Sequence, residues 1–86
     1  MNDQTHMFRI NLFKDQEPQT ITPNLYGAII NCVGLRSTIS HVGEIEKNSV
    51  TVGVETVSSG WSASSLEATL KSYPPLKEYS VTVIDA

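Results

Sequence analysis

With one cysteine in 86 residues, the chain cannot close a disulfide within itself, so its fold must rest on burial and hydrogen bonding. Histidine is nearly as scarce. His6 and His41 are the only two, and neither stands at ligand spacing from Cys32 or from a pair of carboxylates, so neither a metal nor a cofactor is expected. Basic charge is also thin: six Lys and Arg against nine Asp and Glu give a formal charge of −3. A nucleic-acid partner is therefore not expected, because tracking phosphates takes a basic patch. No basic segment followed by an apolar run opens the chain. Residues 1–6 are polar and read as a mobile leader, which leaves cytoplasmic residence as the expectation. A membrane span is excluded for a similar reason, since Pro23, Asn24, Gly27 and Asn31 interrupt the longest uncharged stretch.

What the chain does contain is enough apolar material for one core. Hydrophobic residues make up 40% and charged residues 17%, the balance of a folded protein, and the length suits a single domain spanning residues 1–86.

Phe8, Ile10 and Leu12 alternate with Arg9, Asn11 and Phe13, the period of a strand with one buried face. Thr22-Pro23 then supplies a capping hydroxyl and a proline at the first helical position, and Leu25, Ala28, Ile29 and Cys32 follow at helical spacing. Gly34 is expected to close this helix in a left-handed conformation, with Arg36 near the negative end of its dipole. Residues 38–56 read as a hairpin turning near Glu46-Lys47-Asn48-Ser49. Its second arm alternates cleanly through Val50, Val52 and Val54, while its first arm is irregular, and Gly43 is expected to mark a bulge.

After a loop at Ser58-Ser59-Gly60, Ser64 and Glu67 fit a capping box that opens a second helix with Leu66, Leu70 and Tyr73 inward. Pro74-Pro75 ends it, and Tyr79, Val81 and Val83 form a last strand. The order is β-α-β-β-α-β. It predicts an α+β fold of the ferredoxin-like type, a four-stranded antiparallel sheet with two helices on one face and the first and third strands central.

Chemistry-bearing patterns are sparse. Cys32 with His41 is the one nucleophile–base pair available, and an inward cysteine without a positive neighbour is a small buried hydrophobe rather than a reactive thiol. Glu44, Glu46 and Glu55 read as a solvated acidic edge. The glycines lack the Lys-Ser or Lys-Thr signature of a phosphate loop. RNA-recognition motifs share this chain order, but the open sheet face here carries Arg9, Asn11, Thr51, Gly53 and Glu55, with Phe13 as its one aromatic, which is no stacking platform. An enzyme is accordingly not expected.

Two surfaces remain. Residues 18–35 hold no charged side chain, and the first helix has only Asn24, Gly27 and Asn31 on its outer side. Beside its inward stripe run Tyr26, Ile30 and Val33, which read either as a partner-binding surface or as a seam covered by residues 14–21 or by the second helix. Trp61 is the second candidate, either a hydrophobic staple on the second helix or an anchor at an interface.

The layout, with Gly34 between helix and strand, loosely resembles ACT-type regulatory domains, small modules that pair edge to edge and bind amino acids at the junction. This resemblance covers topology only. It implies ligand contacts within residues 14–22 and a homodimer, although that segment lacks a compact glycine-containing loop and is stiffened by Pro18 and Pro23. The leading expectation is a non-enzymatic protein-interaction module, an adaptor or stoichiometric inhibitor of the kind phages and mobile elements encode. Its partner would be a protein docking at Tyr26, Ile30, Val33 and Trp61. The alternative is an ACT-like domain that senses a small molecule and dimerises.

Overall fold

The computed structural model describes residues 4–35, 37–56 and 62–86. Strand β1 (Gln4–Lys14) runs through the middle of an antiparallel sheet. It pairs over Phe8 to Asn11 with both β4 (Ser49–Thr56) and β5 (Ser80–Asp85), so these two lie on its opposite edges. Beyond β4 lies β3 (Thr38–Val42), giving the order β5–β1–β4–β3 for the main strands. Helices α1 (Pro23–Gly34) and α2 (Ala63–Ser72), with a 3₁₀ turn at Pro74–Leu76, complete an α+β domain.

β1 begins earlier than the leader reading allowed. Gln4, Thr5 and His6 are in register with Thr56, Glu55 and Val54, because β4 is long enough to supply a ladder for them. A second difference follows β1 directly. Residues 15 and 16 form a two-residue turn into a short strand β2 (Glu17–Pro18), with Phe13 opposite Pro18 and Lys14 opposite Glu17. Asp15 and Gln16 both have positive φ, 53° and 66°, as a type I′ hairpin turn requires. Aspartate tolerates that conformation, whereas glutamine has no local hydrogen bond to favour it. Gln16→Gly is therefore expected to stabilise the fold by about 0.5 kcal/mol after the entropy of the added glycine is subtracted. A thermal melt should show the midpoint rising by ~2–4 °C; a fall would mean the glutamine side chain is held in a way that offsets its backbone strain.

The core-facing residues Phe8, Ile10 and Leu12 of β1, Val50, Val52 and Val54 of β4, and Val81 and Val83 of β5 are buried. These pack in one cluster with Ile29, Cys32 and Val33 of α1, Leu66 and Leu70 of α2, and Leu76 of the 3₁₀ turn. Both helices therefore cover the same face of the sheet. The expected N-cap of α1 is present, with the Thr22 hydroxyl accepting the Leu25 N–H at 3.2 Å. Its C-terminus closes differently from the expectation: no left-handed glycine is used, and the N–H of right-handed Leu35 reaches back to the carbonyls of Asn31 and Cys32. Arg36 lies outside the described residues.

The hairpin turns where its residues suggested, with Glu46 and Ser49 exchanging backbone bonds of 2.8 and 3.0 Å around Lys47. Its bulge is at Ser40 rather than Gly43. The register steps by one between Ile39 and His41, and Gly43 stays in the ladder by donating to Thr51 at 2.8 Å. The cap of α2 also moves. Ser62, not Ser64, accepts a helix N–H, that of Ser65 at 3.2 Å, and Glu67 does not turn back to close a capping box. Instead Glu67 accepts the backbone N–H of Val83 at 2.9 Å and pairs with Lys71 at 3.3 Å. The Ser58-Ser59-Gly60 loop falls outside the described residues.

Candidate functional site

The uncharged segment becomes the outward side of α1. Thr22 and Pro23 start the helix, and its spacing then divides the surface into three strips. Ile29, Cys32 and Val33 point into the core. Leu25, Tyr26, Ala28 and Ile30 are half-buried against it, and Pro23, Asn24, Gly27, Asn31 and Gly34 face solvent. The residues Asn24, Gly27 and Asn31 are thus on the outer side as expected, while the stripe of Tyr26, Ile30 and Val33 is not a single surface.

Val33 is fully buried and belongs to the core, which corrects its placement at an interface. The inward stripe is rotated by about one residue from Leu25, Ala28, Ile29 and Cys32 towards Ile29, Cys32 and Val33. The last turn of the helix meets β3: a Cβ on Gly34 would lie 3.8 Å from Ile39 Cδ1. Tyr26 and Ile30 are partly buried at the shoulder of the helix. Trp61 lies outside the described residues.

Polar contacts tie α1 to α2. Asn31 Nδ2 donates to the Tyr73 hydroxyl at 2.6 Å, tying α1 to the end of α2. Cys32 Sγ lies 3.9 Å from the Thr69 carbonyl. Gly27 is open on its outer side, since a Cβ there would meet nothing within 4 Å. The strip presents small, neutral residues, bordered by partly buried aromatic and aliphatic side chains.

The other sheet face is more polar. Arg9 on β1 donates to Glu46 Oε1 at 3.3 Å and to Ser49 Oγ at 3.2 Å, so the acidic group nearest the hairpin turn is engaged in an ion pair. Gly53 sits at the centre of this face because there is no room for more: a Cβ would come within 2.7 Å of Met7 Sδ and 2.8 Å of Thr5 Cγ2. His41 stands opposite Gly53 on this face, with the sheet between it and core-facing Cys32, so that pair is not brought together. At one end of the sheet His6 stacks on Phe8, with ring centroids 4.5 Å apart, and its Nε2 lies 2.9 Å from Asp85 Oδ1. Among the described residues no three His, Cys, Asp or Glu side chains converge on a point.

The segment for which the resemblance implied ligand contacts is stitched down. The β1–β2 turn closes residues 14–17, Gln19 donates to the Leu12 carbonyl at 3.0 Å, and Ile21 donates to the Lys47 carbonyl at 2.9 Å and is buried. Sequence reasoning missed three features that bear on interaction: exposed Leu35 and Ile45, 67% and 39% accessible, and the reach of Glu67 to β5. The first two were legible as apolar residues beside turn signals.

Compared with known proteins, the chain matches no family model, no curated protein and no solved structure. Among the described residues no helix is long and apolar enough to cross a membrane.

Proposed function

We propose that this protein is a non-enzymatic interaction module, an adaptor or stoichiometric inhibitor acting in the cytoplasm, that docks on a protein partner through the outward strip of α1. The observation that carries the reading is a twelve-residue helix without one charged side chain, whose solvent side is Pro23, Asn24, Gly27, Asn31 and Gly34. An exposed helix ordinarily carries charge on its outer face, and charge is what protein interfaces exclude from their centres. Partly buried Tyr26 and Ile30 border the strip, and a tyrosine with one wet side suits an interface anchor. A single thiol and no disulfide suit a reducing compartment. The fold we assign is ferredoxin-like, favoured by the β5–β1–β4–β3 order and by two helices on one face.

Gly27 separates docking from folding. An added side chain meets nothing there, and glycine inside a helix costs about 1 kcal/mol relative to alanine. Gly27→Ala is therefore expected to raise stability by about 0.5–1 kcal/mol, and Gly27→Glu to be at least as stable as the wild type. Affinity capture from native lysate should recover a partner with the wild-type and Gly27→Ala chains and lose it with Gly27→Glu. Recovery of the same protein by all three would place the contact elsewhere.

A further inference from the structure

We propose that the β3 edge pairs with the β3 edge of a second copy of this chain, antiparallel about a two-fold axis, so that the sheet continues across a dimer. The main sheet ends in two edge strands, and they differ. On β5 the outward N–H of Val83 is already taken by the Glu67 carboxylate at 2.9 Å, and the strand ends in Asp85; an incoming strand would have to break that bond. An acidic side chain laid over an edge is a device that discourages strand addition.

Among the described residues, β3 has no such cover. Thr38, Ile39, Ser40, His41 and Val42 include no lysine, no proline and no carboxylate. Gly43 donates inward to Thr51, so the alternation of an antiparallel ladder turns the N–H and C=O of Val42 away from β4. Exposed amide groups in a row call for an extended chain as their partner.

The bulge makes this edge complementary to itself. Residues three apart on a regular strand face opposite sides of a sheet, but the extra residue at Ser40 puts Ile39 and Val42 on the same, core-facing side, opposite Val54 and Val52. Thr38 and His41 correspondingly face the other side. An antiparallel pairing that keeps these faces sets Ile39 against Val42 of the second copy, and Val42 against Ile39 of the second copy. Both are half-buried in one chain, and each would complete the cover of the other. The ends agree with the middle. Leu35 and Ile45, two of the three large hydrophobic residues most exposed among those described, stand just before and just after β3. Antiparallel pairing brings the end of one strand beside the start of the other, so Ile45 of one copy comes next to Leu35 of the second.

The test is sedimentation equilibrium on the full chain from low micromolar to submillimolar concentration, with His41→Glu as the disrupting variant and Thr82→Glu, exposed on β5, as the control. His41 lies next to the two-fold axis, so its glutamate meets its own copy across the interface, where like charges repel. The wild type should dimerise with concentration. His41→Glu, confirmed as folded by circular dichroism, should weaken the dimer about tenfold or more, a loss of ~1.4 kcal/mol, while Thr82→Glu leaves it within about twofold. Exchange of the Val42 amide should slow as concentration rises. A wild-type chain that stays monomeric, or a dimer broken by Thr82→Glu and not by His41→Glu, would overturn the proposal, as would a Val42 amide indifferent to concentration. Neither result touches the α1 reading, because Gly27→Glu leaves the β3 edge intact and His41→Glu leaves α1 intact.

Discussion

Phe8→Ala is expected to remove about 3–5 kcal/mol of stability, the range for emptying a fully buried phenylalanine site. Phe8 has no accessible surface, stands between Val52 on β4 and Asp85 on β5, and carries the His6 ring stacked on it. Its neighbours on three strands are fixed by ladder hydrogen bonds, so the sheet cannot collapse into the void as a helix edge might. A domain of this length has on the order of 4–13 kcal/mol in all, so the loss is a large share of the total. At about 4–8 °C per kcal/mol, the melting midpoint should fall by at least ~12 °C. Chemical denaturation should show the lower midpoint with an unchanged slope. A shift of less than about 1 kcal/mol would mean that the centre of the core is not at β1.

Leu76→Ala should cost nearly as much, about 2–5 kcal/mol, although it lies in a three-residue 3₁₀ turn between α2 and β5. The side chain is fully buried, and the turn is pinned on both sides, Leu76 donating to the Tyr73 carbonyl at 2.9 Å and Tyr79 to the Leu76 carbonyl at 3.0 Å. Proline fixes φ at two successive positions just before it, which delivers the leucine into the core at little entropic cost. A connector residue on a surface loop would cost within about 0.5 kcal/mol. Urea titration of the variant distinguishes the two: a near-neutral result would show the prolines and not the leucine to be what orders this turn.

These two residues illustrate how the fold could be read ahead of the structure and where reading stopped. Phe8, Ile10 and Leu12, with Val50, Val52 and Val54, announce two strands by strict alternation, because a half-covered sheet imposes a period of two. Thr22-Pro23 announces a helix start because both residues act locally. Leu76 announces nothing, since one leucine after two prolines has no period. The rotation of α1 that buries Val33 is set by the line along which the helix meets the sheet and β3, and no pattern within the helix contains it. Ser62, Ser64 and Ser65 are each able to cap α2. The choice among them goes with Glu67, whose carboxylate serves Val83 sixteen residues away instead of its own helix start. The β1–β2 turn escaped because neither Asp15 nor Gln16 is a glycine, although both adopt the conformation glycine favours.

For the candidate site the same division holds. The neutrality of α1 is a property of composition and was visible at once. Which of its apolar residues reach the surface depends on packing, and here it separates Tyr26 and Ile30 from Val33. The exposed ends of the β3 edge and the plugged edge at β5 required the strand order, which sets residues far apart in the chain side by side.

Hydrogen–deuterium exchange of the chain alone and with its captured partner tests the central claim most directly. The account predicts that binding slows exchange in peptides covering residues 23–35, with β1 and β5 unchanged, and that Gly27→Glu abolishes this protection while its own exchange stays native. Protection confined to the sheet or to its edges, with α1 exchanging as in the unbound protein, would contradict it.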